Sequence, residues 1–493
     1  MNASDLYSLD VEEPTALTRM LSDGFEDWSK QATSTGFCSR PVRLFGQART
    51  FDRRSGQHLS TFDSRELPDS VLYVRCGNRR ASRCPSCSHE YQGDMWHLLS
   101  AGVSGGDKGV PESVSTHPLV FLTLTAPSFG AVHSSTRPGA QPRPCTANAA
   151  PGLCKHGRPR RCTEHHDADD ARIGQPLCPD CYDYEGQTVW QWHCPELWRR
   201  FTIRLRRLLA AHLGMSEKAS RDLLRVQFAK VGEYEYQKRG AIHLHALVRL
   251  DGAPTDEDPF PSPALDVPAS WLAERCLEAA RDIEVDAPPV DGPDTARVLR
   301  FGRQADARPV QRHSDDGGDV SPEMVSAYLA KYATKAAGDV AVDGTPNRHL
   351  KQLRETCLEL CGRALLSDGF SSPYALLGKW SDALGFRGHF ASKSRRFSTH
   401  LGTLRDARRK YHRDREQLEA HTDHASTDDL VDATEHTVVI NEFRFAGQGW
   451  LNAGDAELAR AAADAAREWK DSHRAALRLH EKGTNHGEAL LHR

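Results

Sequence analysis

Ala241-Ile242-His243-Leu244-His245-Ala246-Leu247-Val248 alternates with the period of an extended strand. Residues two apart on a strand share a face. Ile242, Leu244, Ala246 and Val248 therefore point toward a core, and His243 and His245 stand side by side on the other face. Two imidazoles in that arrangement can chelate one cation. A third ligand is needed. Glu235, eight residues upstream across a predicted turn, can face the pair from the partner strand, and Glu233, of the same parity, is the fallback. Imidazole and carboxylate ligands together suit Mn²⁺ and tolerate Mg²⁺. The plainer alternative is two exposed histidines on a sheet.

Working outward, Arg225–Val231 and Ala241–Leu250 read as two strands joined by a turn at Lys238-Arg239-Gly240, and Val120-Phe121-Leu122-Thr123-Leu124-Thr125 reads as a third, ended by Pro127 and Gly130. Residues 195–213 read as an amphipathic helix closed by Gly214. Ser321-Pro322-Glu323 begins another, with Ser as cap and Pro in the first turn, and Gly338 would close it. Within it, Tyr328, Lys331, Tyr332 and Lys335 fall in an arc of about 100°. Tyr328 and Tyr332, four apart, have Cβ atoms roughly 5–6 Å from one another. A phenol with a pKa of about 10 is a weak nucleophile, but nearby ammonium groups and a cation on the attacked phosphate lower that demand. Packing alone also produces such tyrosine pairs.

The chain holds thirteen cysteines. Cys84-Pro-Ser-Cys87 and Cys178-Pro-Asp-Cys181 are CxxC pairs with further cysteines upstream. Cys38 and Cys76 would complete one tetrahedral zinc site. Cys154 and Cys162 would complete a second, with Cys145, His156 or His165 as substitutes. Four such ligands make a closed structural site, so two structural Zn²⁺ ions are expected. Cys276, Cys357 and Cys361 sit in helical contexts and read as core.

Charged residues make up 27% of the chain, and its net charge is −3. No apolar run reaches the roughly 20 residues of a membrane helix, and the acidic start is unlike a secretion signal; a cytoplasmic location without membrane partners is expected. Any grip on DNA must come from local basic patches. One candidate runs from Arg387 to Arg415, with ten Lys/Arg and interspersed Phe390, Phe397 and Tyr411; Arg387, Lys393, Arg395 and Arg396 are its predicted DNA contacts. The predicted domains are an N-terminal region with a Cys₄ zinc site at 1–115, a nuclease domain at 116–340 with a Cys-rich insertion at about 134–195, a basic helical DNA-binding region at 341–420, and a helical tail at 421–493.

FLTLT, EYQKRGAIHLH and YLAKYATK, in that order, resemble the three motifs of the HUH endonuclease superfamily, and the paired tyrosines resemble its two-tyrosine branch. The nucleophile follows the histidines, as in replication initiators. CGNRRASRCPSCSHEY, HPLVFLTLTAPSFG, GQPLCPDCYDY, LWRRFTIRLRR, AIHLHALVRLDG and GFRGHFASKSRRFSTHLG resemble actinobacterial plasmid initiators of the Streptomyces RepSA type, over roughly residues 38 to 402. The resemblance implies an α+β fold with a central antiparallel sheet, FLTLT beside the HLH strand, and the tyrosine helix over the metal face. It favours Glu235 as third ligand by spacing. It implies rolling-circle initiation, in which Tyr328 or Tyr332 attacks a phosphate at the plasmid origin, leaving a 5′-phosphotyrosine and a free 3′-OH, with Lys331 and Lys335 steadying charge. Single-stranded and duplex origin DNA, and a host helicase and polymerase, are the implied partners, since no P-loop is present. A two-tyrosine transposase, a zinc-containing DNA-binding regulator without catalysis, and a metal-dependent hydrolase without a covalent step are the rival readings.

Overall fold

The computed structural model describes residues 15–136, 141, 143–146, 150–167, 169–234, 239–310, 321–334, 347–420 and 437–491. In chain order the elements are α1 (Ala16–Met20), α2 (Phe25–Ser34), β1 (Val42–Asp52), β2 (His58–Asp63), β3 (Leu72–Val74), α3 (Pro85–Ser104), β4 (Leu119–Leu124), α4 (Tyr184–His212), α5 (Glu217–Leu223), β5 (Arg225–Tyr234), β6 (Ile242–Asp251), α6 (Ala269–Asp282), β7 (Val285–Ala287), β8 (Arg297–Leu299), β9 (Asp306–Pro309), α7 (Pro322–Tyr332), α8 (Arg348–Asp368), β10 (Ala391–Lys393), α9 (Leu401–Ala420), β11 (Thr437–Gln448) and α10 (Ala453–Leu491). Among the described residues, no helix is long and apolar enough to cross a membrane.

The chain divides into two compact units, Met1–Tyr91 with Ala407–Arg493, and Gln92–Asp406. This differs from the four consecutive domains expected from sequence, because the first unit joins both ends of the chain. Its sheet has the order β11-β1-β2, with β3 also on β1. The pairing of β1 with β11, from Val42 on Gln448 to Asp52 on Thr437, is antiparallel. The expected helical tail is present as α10, but it does not fill the predicted stretch: Thr437–Gln448 is a strand, built from the β-branched and aromatic run TVVINEFRF, which favours a pleated surface. A small core of Trp28, Ala32, Tyr73, Trp450 and Ala459 holds the unit. Arg19 ties its two chain segments together by ion pairs to Asp69 and Asp455.

The second unit is built on a five-stranded sheet of order β10-β5-β6-β4-β9, with antiparallel pairs throughout. The fold is α+β with a central antiparallel sheet, as the resemblance implied. Ile242, Leu244, Ala246 and Val248 of β6 join Val120, Leu122 and Leu124 of β4 in the main core with Trp190, Leu197, Phe201 and Leu205 of α4. α4 is longer than the 195–213 helix read from sequence. It starts at Tyr184, capped by Asp183, whose carboxylate accepts from the Gly186 N–H at 2.8 Å, and it carries Pro195 inside. Proline removes one helical hydrogen bond, but the turns before it are buried on the core. Cys276 and Cys357 lie in the core, as expected, and Cys361 packs against it.

On the other face of the sheet, Arg249 is wholly inaccessible. Its Nε and Nη2 donate to the two Asp251 oxygens at 2.6 and 2.8 Å, and Nη1 donates to the Gly102 carbonyl. His117 Nδ1 lies 2.8 Å from Asp251 Oδ1. Removing one partner from a buried charge pair costs about 3–5 kcal/mol. Asp251→Ala should lower stability by that amount in urea unfolding, and a joint Arg249→Met, Asp251→Leu replacement should lose less, since no lone charge stays buried.

Candidate active site

β5 lies on β6 with Glu233 opposite His243 and Val231 opposite His245, and β4 flanks β6 with Thr123 opposite His245. Strand parity puts Thr123, Glu233, His243 and His245 on the sheet face away from α4. His245 is the hub. Its Nε2 is 3.2 Å from Glu233 Oε2 and its Nδ1 is 3.1 Å from Thr123 Oγ1. Phe121 stacks on its ring at 5.7 Å, with planes 9° apart. His245 and Glu233 are buried, at 5% and 4% exposure. A hydroxyl holding Nδ1 orients the ring so that Nε2 faces the carboxylate, which is how proteins aim a histidine at a cation. His243 is half-buried. Burial, then His245 and Arg239, push its pKa down to about 3, so its imidazole is neutral, the form that donates to a metal.

α7 begins where the sequence placed it. Ser321 Oγ accepts from the Met324 N–H at 3.3 Å, and Pro322 opens the first turn. Its last turn lays both tyrosines over the histidine face. Tyr328 meets His245 edge-on at 5.3 Å, and its hydroxyl donates to Glu233 Oε2 at 3.4 Å. Tyr332 lies 4.5 Å from the Tyr328 ring and 6.4 Å from that of His245. Burial, then the Glu233 carboxylate and Tyr332, raise the Tyr328 phenol above its ordinary pKa, so it rests protonated. Lys331 is exposed, with Nζ 5.7 Å from the Tyr332 ring centre. Lys335 and Glu235 lie outside the described residues, as does Gly338, and the described helix ends at Tyr332. The carboxylate found at the site is that of Glu233. Thr123 and Phe121 were missed as site residues, although both lie in the FLTLT strand whose alternation places them on this face.

The cysteines form three sets rather than the two expected. The atoms of Cys38, Cys76, Cys84 and Cys87 lie within 4.8 Å of one another, as predicted; so do those of Cys154, His156, Cys178 and Cys181, and those of His133, Cys145, Cys162 and His166. The expected pairing of Cys162 with Cys154 is therefore corrected. His156, two residues after Cys154, takes that place, and Cys162 turns to a separate set with His166. Four donors around one zinc ion have S–S, N–S and N–N edges of roughly 3.8, 3.5 and 3.3 Å. Cys38 and Cys84, Cys38 and Cys87, and Cys76 and Cys87 are 3.6, 3.6 and 3.7 Å apart. Cys162 Sγ and His166 Nε2 are 3.4 Å apart, and Cys145 Sγ and His133 Nδ1 3.7 Å. His156 Nδ1 lies 3.2 and 3.6 Å from the sulfurs of Cys181 and Cys178, so each of the three sets could hold a tetrahedral ion of zinc's size. Among the described residues only these sets close so tightly; His243, His245 and Glu233 form a wider group.

The four predicted DNA contacts do not share one patch. Arg387 lies over Trp192 of α4 at 4.4 Å and donates to its carbonyl. Lys393 donates to the carbonyls of Ser394, Arg395 and Ser398, and burial, then Arg249, push its pKa down to about 8; it holds the loop before α9. Arg395 and Arg396 line a cleft of about 440 Å³ with Lys108 and His400.

A family model described as replication initiator protein, pSAM2 (RepSA) matches residues 24–464. A replication initiator protein of Streptomyces ambofaciens is 38% identical over 455 residues, which cover 89% of this chain and 90% of that relative. No solved structure matches. Over nearly its whole length, then, the chain that carries this face of histidines and tyrosines belongs to the RepSA family of replication initiator proteins.

Proposed function

We propose that the protein starts rolling-circle replication of a plasmid by nicking one origin strand through a tyrosine. The observation that carries this reading is the contact chain Tyr328–Glu233–His245, with the Tyr332 ring tilted against that of Tyr328 at 4.5 Å. The donor set of two imidazoles and a carboxylate suits a divalent cation such as Mn²⁺ or Mg²⁺, with Glu233 as the carboxylate in place of Glu235. When bound there, such an ion supplies electrostatic polarisation of a phosphate. The chain's own groups do the rest. The sheet face holds a phosphate beside the phenols, which supplies proximity. Tyr328, nearer the histidine, attacks phosphorus, and its phenolic proton passes to Glu233, which already accepts it. The P–O bond to the 3′ oxygen breaks, and the proton taken up by Glu233 passes on to that oxygen, giving the 3′-OH for a host polymerase. The phosphodiester energy stays in the tyrosine ester, so rejoining needs no nucleotide. Tyr332 is placed to make the second cut, and Lys331 and Lys335 would neutralise charge. Zn²⁺ in the cysteine-containing sets is structural in this reading.

Incubation with a single-stranded origin oligonucleotide and Mn²⁺ should give a protein–DNA adduct that survives denaturation. Tyr328→Phe with Tyr332→Phe should abolish it, and so should a chelator; an adduct persisting in the double variant would point to another nucleophile. Thr123→Val, which removes the hydroxyl from His245, should weaken Mn²⁺ binding about 10–100-fold in titrations while leaving both phenols in place.

A further inference from the structure

The insertion between β4 and α4 has an uneven charge. From Ala131 to Thr163 the sequence holds six Lys/Arg and no Asp or Glu, in a chain whose net charge is −3. The acids that follow are partly spent: Glu164 and Asp170 pair with Arg172, and Asp170 also holds His166 Nδ1 at 2.8 Å. Lys155, Arg158 and Arg160 are exposed. Arg158 meets Asp180 only at 3.7 Å, and among the described residues no carboxylate pairs with Lys155 or Arg160.

The backbone gathers these cations. Residues 152–160 make a tight hairpin, in which the Cys154 N–H donates to the Arg158 carbonyl at 2.8 Å and the Arg160 N–H to that of Gly152 at 2.9 Å. Gly157, at φ +74°, turns the tip. Both flanks are gripped by donor sets: Cys154 and His156 with Cys178 and Cys181, and Cys162 with His133, Cys145 and His166. In the second set the Ser134 N–H donates to Cys145 Sγ at 3.2 Å, and the Asp170 carboxylate orients His166 as second-sphere acids orient metal-bound histidines. Mutual repulsion would spread such a loop unless it were cross-linked. The insertion leaves β4 just beyond Thr123, on the strand that flanks His245.

We infer that the hairpin at 152–160, stapled by Zn²⁺ held at the two donor sets that flank it, grips the phosphate backbone of duplex DNA through Lys155, Arg158 and Arg160. The inference rests on the DNA-nicking reading of the chain. Duplex backbone is favoured over single strands because the stretch from Ala131 to Thr163 has no Phe, Tyr or Trp on which bases could stack; it offers charge alone. Zinc binding would expel the thiol protons of both sets.

The test compares the full chain with its Lys155→Gln, Arg158→Gln, Arg160→Gln variant. Anisotropy titrations would use a labelled duplex of about 30 base pairs of arbitrary sequence over a KCl series. Each lost phosphate contact removes about 0.9 from the slope of log affinity against log salt, so the slope should shrink by about 2–3. Zinc measured by mass spectrometry should be equal in both chains, which shows the fold intact. Cys145→Ser with His166→Ala should lower the zinc content by one ion per chain and weaken duplex binding in the same direction. An unchanged slope in the charge variant overturns the inference, as does a zinc content that Cys145→Ser with His166→Ala leaves unchanged. Adduct formation by the unaltered chain on a single-stranded oligonucleotide reads the nicking proposal separately. A normal adduct with an unchanged slope sinks only the hairpin, and a reduced slope without any adduct sinks only the nickase.

Discussion

A slip of one residue between β5 and β6 would turn Glu233 away from His243 and His245 and drive one of the two sets into the packed face. The histidine face depends on that register. It is held from both sides of β6, by ten paired positions along β5 and by the pairing of Thr123 with His245 on β4. The apolar residues of β6 lock it further, because Leu244 and Ala246 have no room to exchange places with imidazoles against α4. The Phe121 stack and the Thr123 hydroxyl then fix one ring, and that ring carries the contacts to Glu233 and to both tyrosines.

The same packing sets the resting state of the Tyr328 phenol. Glu233 serves two neighbours at once, accepting from the Tyr328 hydroxyl and facing His245 Nε2. A carboxylate so close, with Glu233 itself buried, opposes phenolate formation. On the proposed reading, the chain alone is therefore poised but inactive, and a cation and a substrate phosphate must arrive together to change the balance of charge around the phenol.

Much of this was legible in the sequence because the signals are local. Alternation at 241–248 gave the strand and its two faces, and Ser321-Pro322 marked the helix start to the residue. The Cys38, Cys76, Cys84, Cys87 set could be read because two of its members form a short knuckle. What could not be read was set by distant partners. The β11 strand shows its role only once β1 is beside it, and helical composition after residue 453 drew attention away from TVVINEFRF. His156 and His166 displace other candidates as ligands because of how the chain turns at Gly157 and at Asp170, which spacing alone does not encode. Lys393 looks like a DNA contact in composition, yet three carbonyls claim it.

The pairing of β1 with β11 joins segments that lie near opposite ends of the chain. During synthesis β1 leaves the ribosome without its longest partner, which follows tens of seconds later at ordinary elongation rates. Through that interval β1 has only β2 and β3, while the histidine strand and its neighbours β4 and β5, all made before residue 252, can already assemble. The unit that joins the two ends thus matures last, and a chain cut short before residue 437 would keep all five strands of the histidine sheet while leaving β1 with an unpaired, aggregation-prone edge.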